Sequence, residues 1–352
     1  MQLEELIRQI DPLNEETMQA ARIRQETLTK PRGSLGRLEE LSIQLAGITS
    51  CALPSVERKT VIVMAADHGV TSEGVSAYPA EVTPQMVANF LRGGAAINVL
   101  ARQADARVVV VDMGIANEID DPSRNLIRRR VGAGTANIAR GPAMTREQAV
   151  ESIQSGIEIT KAEIGRGVDI LATGDMGIGN TTSAAAIACA LMNQVPENIA
   201  GRGTGVDDDG MKRKISVIQR ALDINQPDAN DALDVLSKVG GFEIGGLAGV
   251  MLAAAANRKP VVVDGFISTA AAMITFTLAP AVRDYMIAAH VSQEHGHKSM
   301  LEWLGLNPLL DMKMRLGEGT GAALAFHLIE ASARVLRDMA TFDEAGVSEK
   351  DS

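Results

Sequence analysis

Four short apolar runs rich in valine and isoleucine recur through the middle of the chain: Thr60–Ala66, Arg107–Val111, Val168–Ala172 and Pro260–Val263. Runs of this length without polar alternation fit strands covered on both faces, the setting of a parallel sheet. Helix-length segments separate them: 84–102 opened by Thr83-Pro84, 146–165 with Thr145 and Gln148 as a capping box, and 183–193 opened by Asn180-Thr-Thr. This alternation predicts an α/β fold, a doubly wound, mostly parallel sheet of Rossmann-like design. Helical spacing also marks Glu16–Leu28 and Leu38–Ile48, broken by a linker with Ser34 as candidate N-cap, and Gly321–Met339 near the other end. The expected organisation is a large α/β domain over 56–296 and a small helical domain formed by 1–55 and 297–352.

Composition narrows the function classes. With 46% hydrophobic residues among 352, disorder is excluded and a sizeable core is expected. Aromatics amount to only 3%, too few for base-stacking platforms, and the formal charge of −10 opposes a nucleic-acid partner. An anionic ligand would have to be held by local cations and backbone N–H groups against the overall field. Cys51 and Cys189 stand far apart without zinc spacing, which fits reduced thiols. The N-terminus lacks a basic, apolar leader, and no apolar run reaches the ~20 residues of a membrane span. A cytoplasmic protein without a membrane partner is expected.

Ligands of open α/β sheets bind beyond the carboxyl ends of the strands. Those exits share a chemistry here: Asp67-His68-Gly69, Asp112-Met113-Gly114, Gly174-Asp175-Met176-Gly177 and Asp264-Gly265-Phe266. Asp and Gly are also ordinary turn residues, which accounts for some of these positions. The richest exit, Gly174–Ser183, joins a glycine turn to an Asn/Thr/Thr helix start, where N–H groups and the helix dipole suit a phosphate. Two further glycine loops are candidates: Gly201–Gly205, followed by Asp207–Asp209 and Lys212–Lys214, and Gly132–Asn137. Generic motifs fail. There is no P-loop, no dinucleotide fingerprint after the first run, and no paired acids of the diphosphate-using phosphoribosyltransferases after the second. His295-Gly-His297 beside Glu294 reads as a solvated loop, His68 as a turn hydrogen bond, and Asp207–Asp209 as a weak Mg²⁺ candidate.

One carboxylate stands apart. Glu318 lies among glycines in Met314-Arg-Leu-Gly-Glu-Gly-Thr-Gly-Ala-Ala-Leu324, with apolar neighbours on both sides. Such surroundings raise a carboxyl's proton affinity, as a general base near neutral pH requires. The competing reading is a loop before a helix, with the acid favourable at its N-terminus.

Five segments then carry a resemblance: Lys30–Glu39, Ala66–Val70, Gly174–Thr182, Asp234–Phe242 and Leu316–Leu324. Together they resemble the nicotinate-nucleotide:dimethylbenzimidazole phosphoribosyltransferase family over nearly the whole chain. The resemblance implies transfer of a 5-phosphoribosyl group from nicotinate mononucleotide to 5,6-dimethylbenzimidazole, a step in assembling the lower ligand of cobalamin. It implies Glu318 as catalytic base and Tyr78, Met86 and Leu316 around the benzimidazole. Asp175, Gly177, Asn180, Thr181, Gly203 and Lys214 fall around the nucleotide. Asp175 stands where relatives often carry glutamate, and Tyr78 and Met86 lie where relatives vary, which leaves the preferred base open. A homodimer without metal or cofactor completes the implied picture.

Overall fold

A computed structural model of the chain describes residues 3–117, 119, 121 and 125–348. Among the described residues six strands form one sheet: β1 (Lys59–Ala66), β2 (Ala106–Gly114), β3 (Leu126–Arg128), β4 (Ile170–Met176), β5 (Val261–Val263) and β6 (Met286–Ala288). Their order is β3-β2-β1-β4-β5-β6, and every neighbouring pair is parallel. The order reverses between β1 and β4, which opens a crevice at the carboxyl edge where ligands of such sheets bind.

Successive residues of a strand face opposite sides, so one apolar run feeds two cores. Ile62, Met64, Val109 and Val111 face helices Arg146–Gly165, Phe242–Ala256 and Phe266–Leu278. Val61, Val63, Val110, Ala172 and Val262 face helices Arg37–Thr49, Ala96–Gln103 and Thr320–Asp338. Every residue of β1 is buried, which explains why this strand carries no alternation. The two ends of the chain meet on the second face. Arg24 donates to the carbonyls of Leu336 (2.6 Å), Arg337 (3.1 Å) and Met339 (3.2 Å), a cation closing the C-terminus of helix Thr320–Asp338. No helix among the described residues is long and apolar enough to cross a membrane.

The α/β class and the four expected strands are present, and the Thr145–Gln148 capping box forms in both directions. Two local expectations differ, and two strands were not expected. The segment 84–102 is two helices, Val82–Leu91 and Ala96–Gln103, parted at Gly93-Gly94. Helix Arg37–Thr49 takes Gly36 rather than Ser34 at its N-cap. β3 and β6 carry no sequence signal of their own, because three residues are too few to show a period.

Candidate active site

The exits of β4, β5 and β6 converge on a cavity of about 470 Å³. β4 delivers Asp175 to Thr181, β5 delivers Gly265 to Ile267, and the segment after β6 delivers His290, Ser292 and Glu294. Tyr78, Val82 and Met86 close it from the connection after β1, Gly203 and Thr204 from a loop, and Arg315 to Glu318 from the strap before helix Thr320–Asp338.

That strap is wound tightly. Gly317, Glu318 and Gly319 follow one another in the left-handed region, with φ of 81°, 64° and 91°. Two glycines adopt it freely; a glutamate does so at a cost, and such strained residues gather at functional sites. The strap lies directly on β4, where a Cβ placed on Gly174 would come within 2.5 Å of the Glu318 carbonyl oxygen. Glu318 is 5% exposed, and its Oε2 accepts the Ile97 N–H at 3.3 Å. Burial pushes its carboxyl above the ordinary value; the Ile97 N–H opposes that, and nearby Asp264 adds to it.

Asp175 is also buried, and its proton affinity is raised well above the usual range by burial, then by Asp264 and Glu243. Its Oδ2 accepts the Asn180 amide at 3.0 Å, while Oδ1 has no partner. Helix Asn180–Met192 starts after Gly179 without a side-chain cap; the Asn180 and Thr182 N–H groups donate to the carbonyls of Gly177 and Gly179, both at 3.0 Å, and Thr181 between them lies on the cavity wall. On the apolar side Tyr78 and Leu316 are 55% and 58% exposed, large surfaces that an apolar ligand would cover.

Nine of the residues marked from sequence line this one cavity: Tyr78, Met86, Asp175, Gly177, Asn180, Thr181, Gly203, Leu316 and Glu318. Lys214 does not. It sits one layer behind, only 1% exposed, with Nζ donating to Thr181 Oγ1 at 2.8 Å and the Gly201 carbonyl at 3.0 Å. Arg315 is on the wall instead, donating to the Gly203 carbonyl at 2.7 Å. Nothing in the sequence points to Arg315, although it adjoins the strap, or to His290 and Ser292, whose only signal is the short β6; Glu294, read from sequence as part of a solvated loop, is buried on the cavity wall.

Other candidates take structural places. Asp67 accepts the Ala116 N–H and Asp112 those of Gly114 and Ile115, so these exits hold turns. Gly132–Asn137 lies beside the first exit, with Thr135 bonded to Asp67 and Gly69, rather than on the cavity. His68 is no turn residue: its ring reaches Glu243 at 2.7 Å and Ser183 at 3.1 Å in a buried network. His297 is no solvated loop residue either. It is fully buried at a helix start, bonded to Thr269 and the Ser292 N–H, and burial brings its pKa to about 3. Asp207 caps helix Asp208–Asn225, Asp208 pairs with Arg202, and Asp209 pairs with Lys212. Among the described residues, no group of three His, Cys, Asp or Glu side chains is arranged to hold a metal.

A phosphoribosyltransferase family model matches residues 10–347. The nicotinate-nucleotide–dimethylbenzimidazole phosphoribosyltransferase of Desulforudis audaxviator is 58% identical over 347 residues, 99% of this chain and 98% of that protein. Its namesake from Roseiflexus sp. (strain RS-1) is 59% identical over 349 residues, again 99% and 98% of the two. Among solved structures, CobT from Thermus thermophilus superposes with a TM-score of 0.92 at 50% identity, covering 95% of this chain and 100% of that one. Likeness in sequence and in fold thus runs the length of the molecule, and the chain belongs to the nicotinate-nucleotide–dimethylbenzimidazole phosphoribosyltransferase family.

Proposed function

We propose that this chain transfers the 5-phosphoribosyl group of nicotinate mononucleotide to 5,6-dimethylbenzimidazole, giving α-ribazole 5′-phosphate and nicotinate, with Glu318 as general base and inversion at C1′. One observation carries the reading: a buried carboxylate with raised proton affinity shares a cavity with exposed apolar side chains and a helix N-terminus that no side chain caps. The donor's glycosidic nitrogen is a pyridinium, so the leaving ring takes the bonding electron pair and departs neutral, without a general acid. The acceptor's nitrogen lone pair forms the new bond to C1′. Its ring N–H proton passes to Glu318, a role worth roughly 10²–10⁴ in rate.

Tyr78, Met86 and Leu316 cover the heterocycle. Gly177, Asn180, Thr181 and Gly203, at the positive start of helix Asn180–Met192, receive the phosphate with the Arg315 guanidinium and orient C1′. Lys214 supports that wall from behind. Asp175, held toward its neutral form, serves the nucleotide as a hydrogen-bond donor. Attack opposite the leaving group converts a β donor into an α product.

The test is incubation of the purified protein with nicotinate mononucleotide and a panel of benzimidazoles and phenols, with chromatography of the products and assignment of the anomer. An α-linked ribotide with equimolar nicotinate is expected; a β-linked product or no transfer contradicts the reading. A cytosolic homodimer is the setting the family likeness implies, and sedimentation velocity at micromolar concentration checks the dimer.

A further inference from the structure

Helix Thr320–Asp338 begins with a glycine N-cap that has no side chain to offer, and no side-chain cap comes from its own turn. The missing acceptors arrive from elsewhere. Asp264, at the exit of β5, turns both carboxylate oxygens onto this helix start: Oδ2 accepts the Gly319 N–H at 3.1 Å and Oδ1 the Ala322 N–H at 2.9 Å. Asp264 is 1% exposed and is not on the cavity wall. Gly319 directly follows Glu318 and shares its left-handed backbone. A strap of three successive left-handed residues is held at one end only if something fixes the residue that ends it.

We infer that Asp264 is a positioning residue for the reaction: by capping the helix from a neighbouring strand it fixes the strap that aims Glu318 into the cavity. This rests on the reading of Glu318 as the general base. The charged groups that act on Glu318 are Asp264 from β5 and Asp175 from β4, and the titratable side chains of His290, Glu294 and Arg315 line the same cavity. Helix Ala96–Gln103 contributes only the Ile97 N–H. After burial, Asp264 adds to the raised proton affinity of Glu318; burial raises that of Asp264 itself, and His290 and the N–H groups of Ala322, Gly319 and Gly321 oppose this by favouring its charged form. Removing that charge lowers the Glu318 pKa, so the acid limb of kcat/KM moves to lower pH.

The test compares Asp264→Asn and Asp264→Ala with wild type and with Glu318→Gln. Asn keeps the shape and one acceptor oxygen; Ala keeps neither. Turnover per folded molecule is expected to fall roughly tenfold in Asn and up to about a hundredfold in Ala, the usual effect of a misplacement near 1 Å. KM for nicotinate mononucleotide should stay within about twofold, since uniform binding is untouched, and the acid limb should move down in the Asn variant. In wild type, the Gly319 and Ala322 amides should exchange slowly with deuterium, a measurement that needs no variant to fold. Wild-type turnover and an unmoved acid limb in Asp264→Asn, beside an impaired Glu318→Gln, overturn this inference and leave the general base standing. A lower melting temperature with unchanged turnover and limb likewise overturns it, as does fast exchange of the two amides. An unimpaired Glu318→Gln removes the general base itself, and this inference with it.

Discussion

Lys214 brings three ammonium donors into the interior, and burial lowers its pKa from 10.5 to about 8, with Glu294 opposing. Two of those donors tie Thr181, on the cavity wall, and Gly201, at the start of the loop that brings Gly203 there. An anion arriving there favours the ammonium form, so the bound state takes up a proton that the free protein has begun to lose at pH 8. Affinity for nicotinate mononucleotide is therefore expected to decline as pH rises from about 8 toward the bound-state pKa. Titration calorimetry between pH 7 and 10, in buffers of different ionisation enthalpy, should show that decline with proton uptake. Lys214→Met should bind more weakly and lose the pH dependence above 8; a variant altered only toward dimethylbenzimidazole would place Lys214 on the wrong substrate. The sequence disclosed the residue and its charge. It did not disclose that Thr181 and Gly203 stand between that charge and the cavity, because burial of a lysine is settled by the packing of helix Asp208–Asn225 and not by its neighbours in the chain.

At the scale of elements, β4 and the strap bearing Glu318 work as one unit. Gly174→Ala drives a methyl into the Glu318 carbonyl, so the strap must lift. Turnover should drop while stability falls by about 1–3 kcal/mol, the usual cost of overpacking; calorimetry and steady-state rates check both, and a fully active variant would separate strap from strand. The acidic run Asp207–Asp209 is spent on a helix cap and two ion pairs. Activity is accordingly expected to survive prolonged EDTA treatment, and its abolition with recovery on adding Mg²⁺ would return that run to the list of metal sites. Elements with strong periodicity or caps were legible: four strands, the 146–165 helix and the glycine turn at β4 follow from local chemistry. β6 was not, and with it went His290, Ser292 and the place of Glu294. Its three residues gain their strand character from pairing with β5, a contact no window of sequence contains.

Across the whole molecule, the sheet order does the assembling. Tyr78 and Glu318 are separated by most of the chain, yet the reversal between β1 and β4 and the return of the last long helix beneath β1, β4 and β5 bring them to one cavity. The alternation of runs foretold the sheet, and the glycine-flanked acid pointed to the strap, but their meeting is a property of topology, which the motifs reached only through likeness to a family. The net charge of −10 makes the same point for the proposed anionic donor, which has to be held at one edge of the sheet, where Arg315 lies, against the overall field. The most direct measurement is the single-turnover rate of Glu318→Gln with saturating nicotinate mononucleotide and dimethylbenzimidazole, beside its nucleotide dissociation constant. The account predicts a rate at least about tenfold below wild type, the minimum for loss of a general base, with nucleotide binding nearly unchanged; a Gln variant as fast as wild type would contradict it.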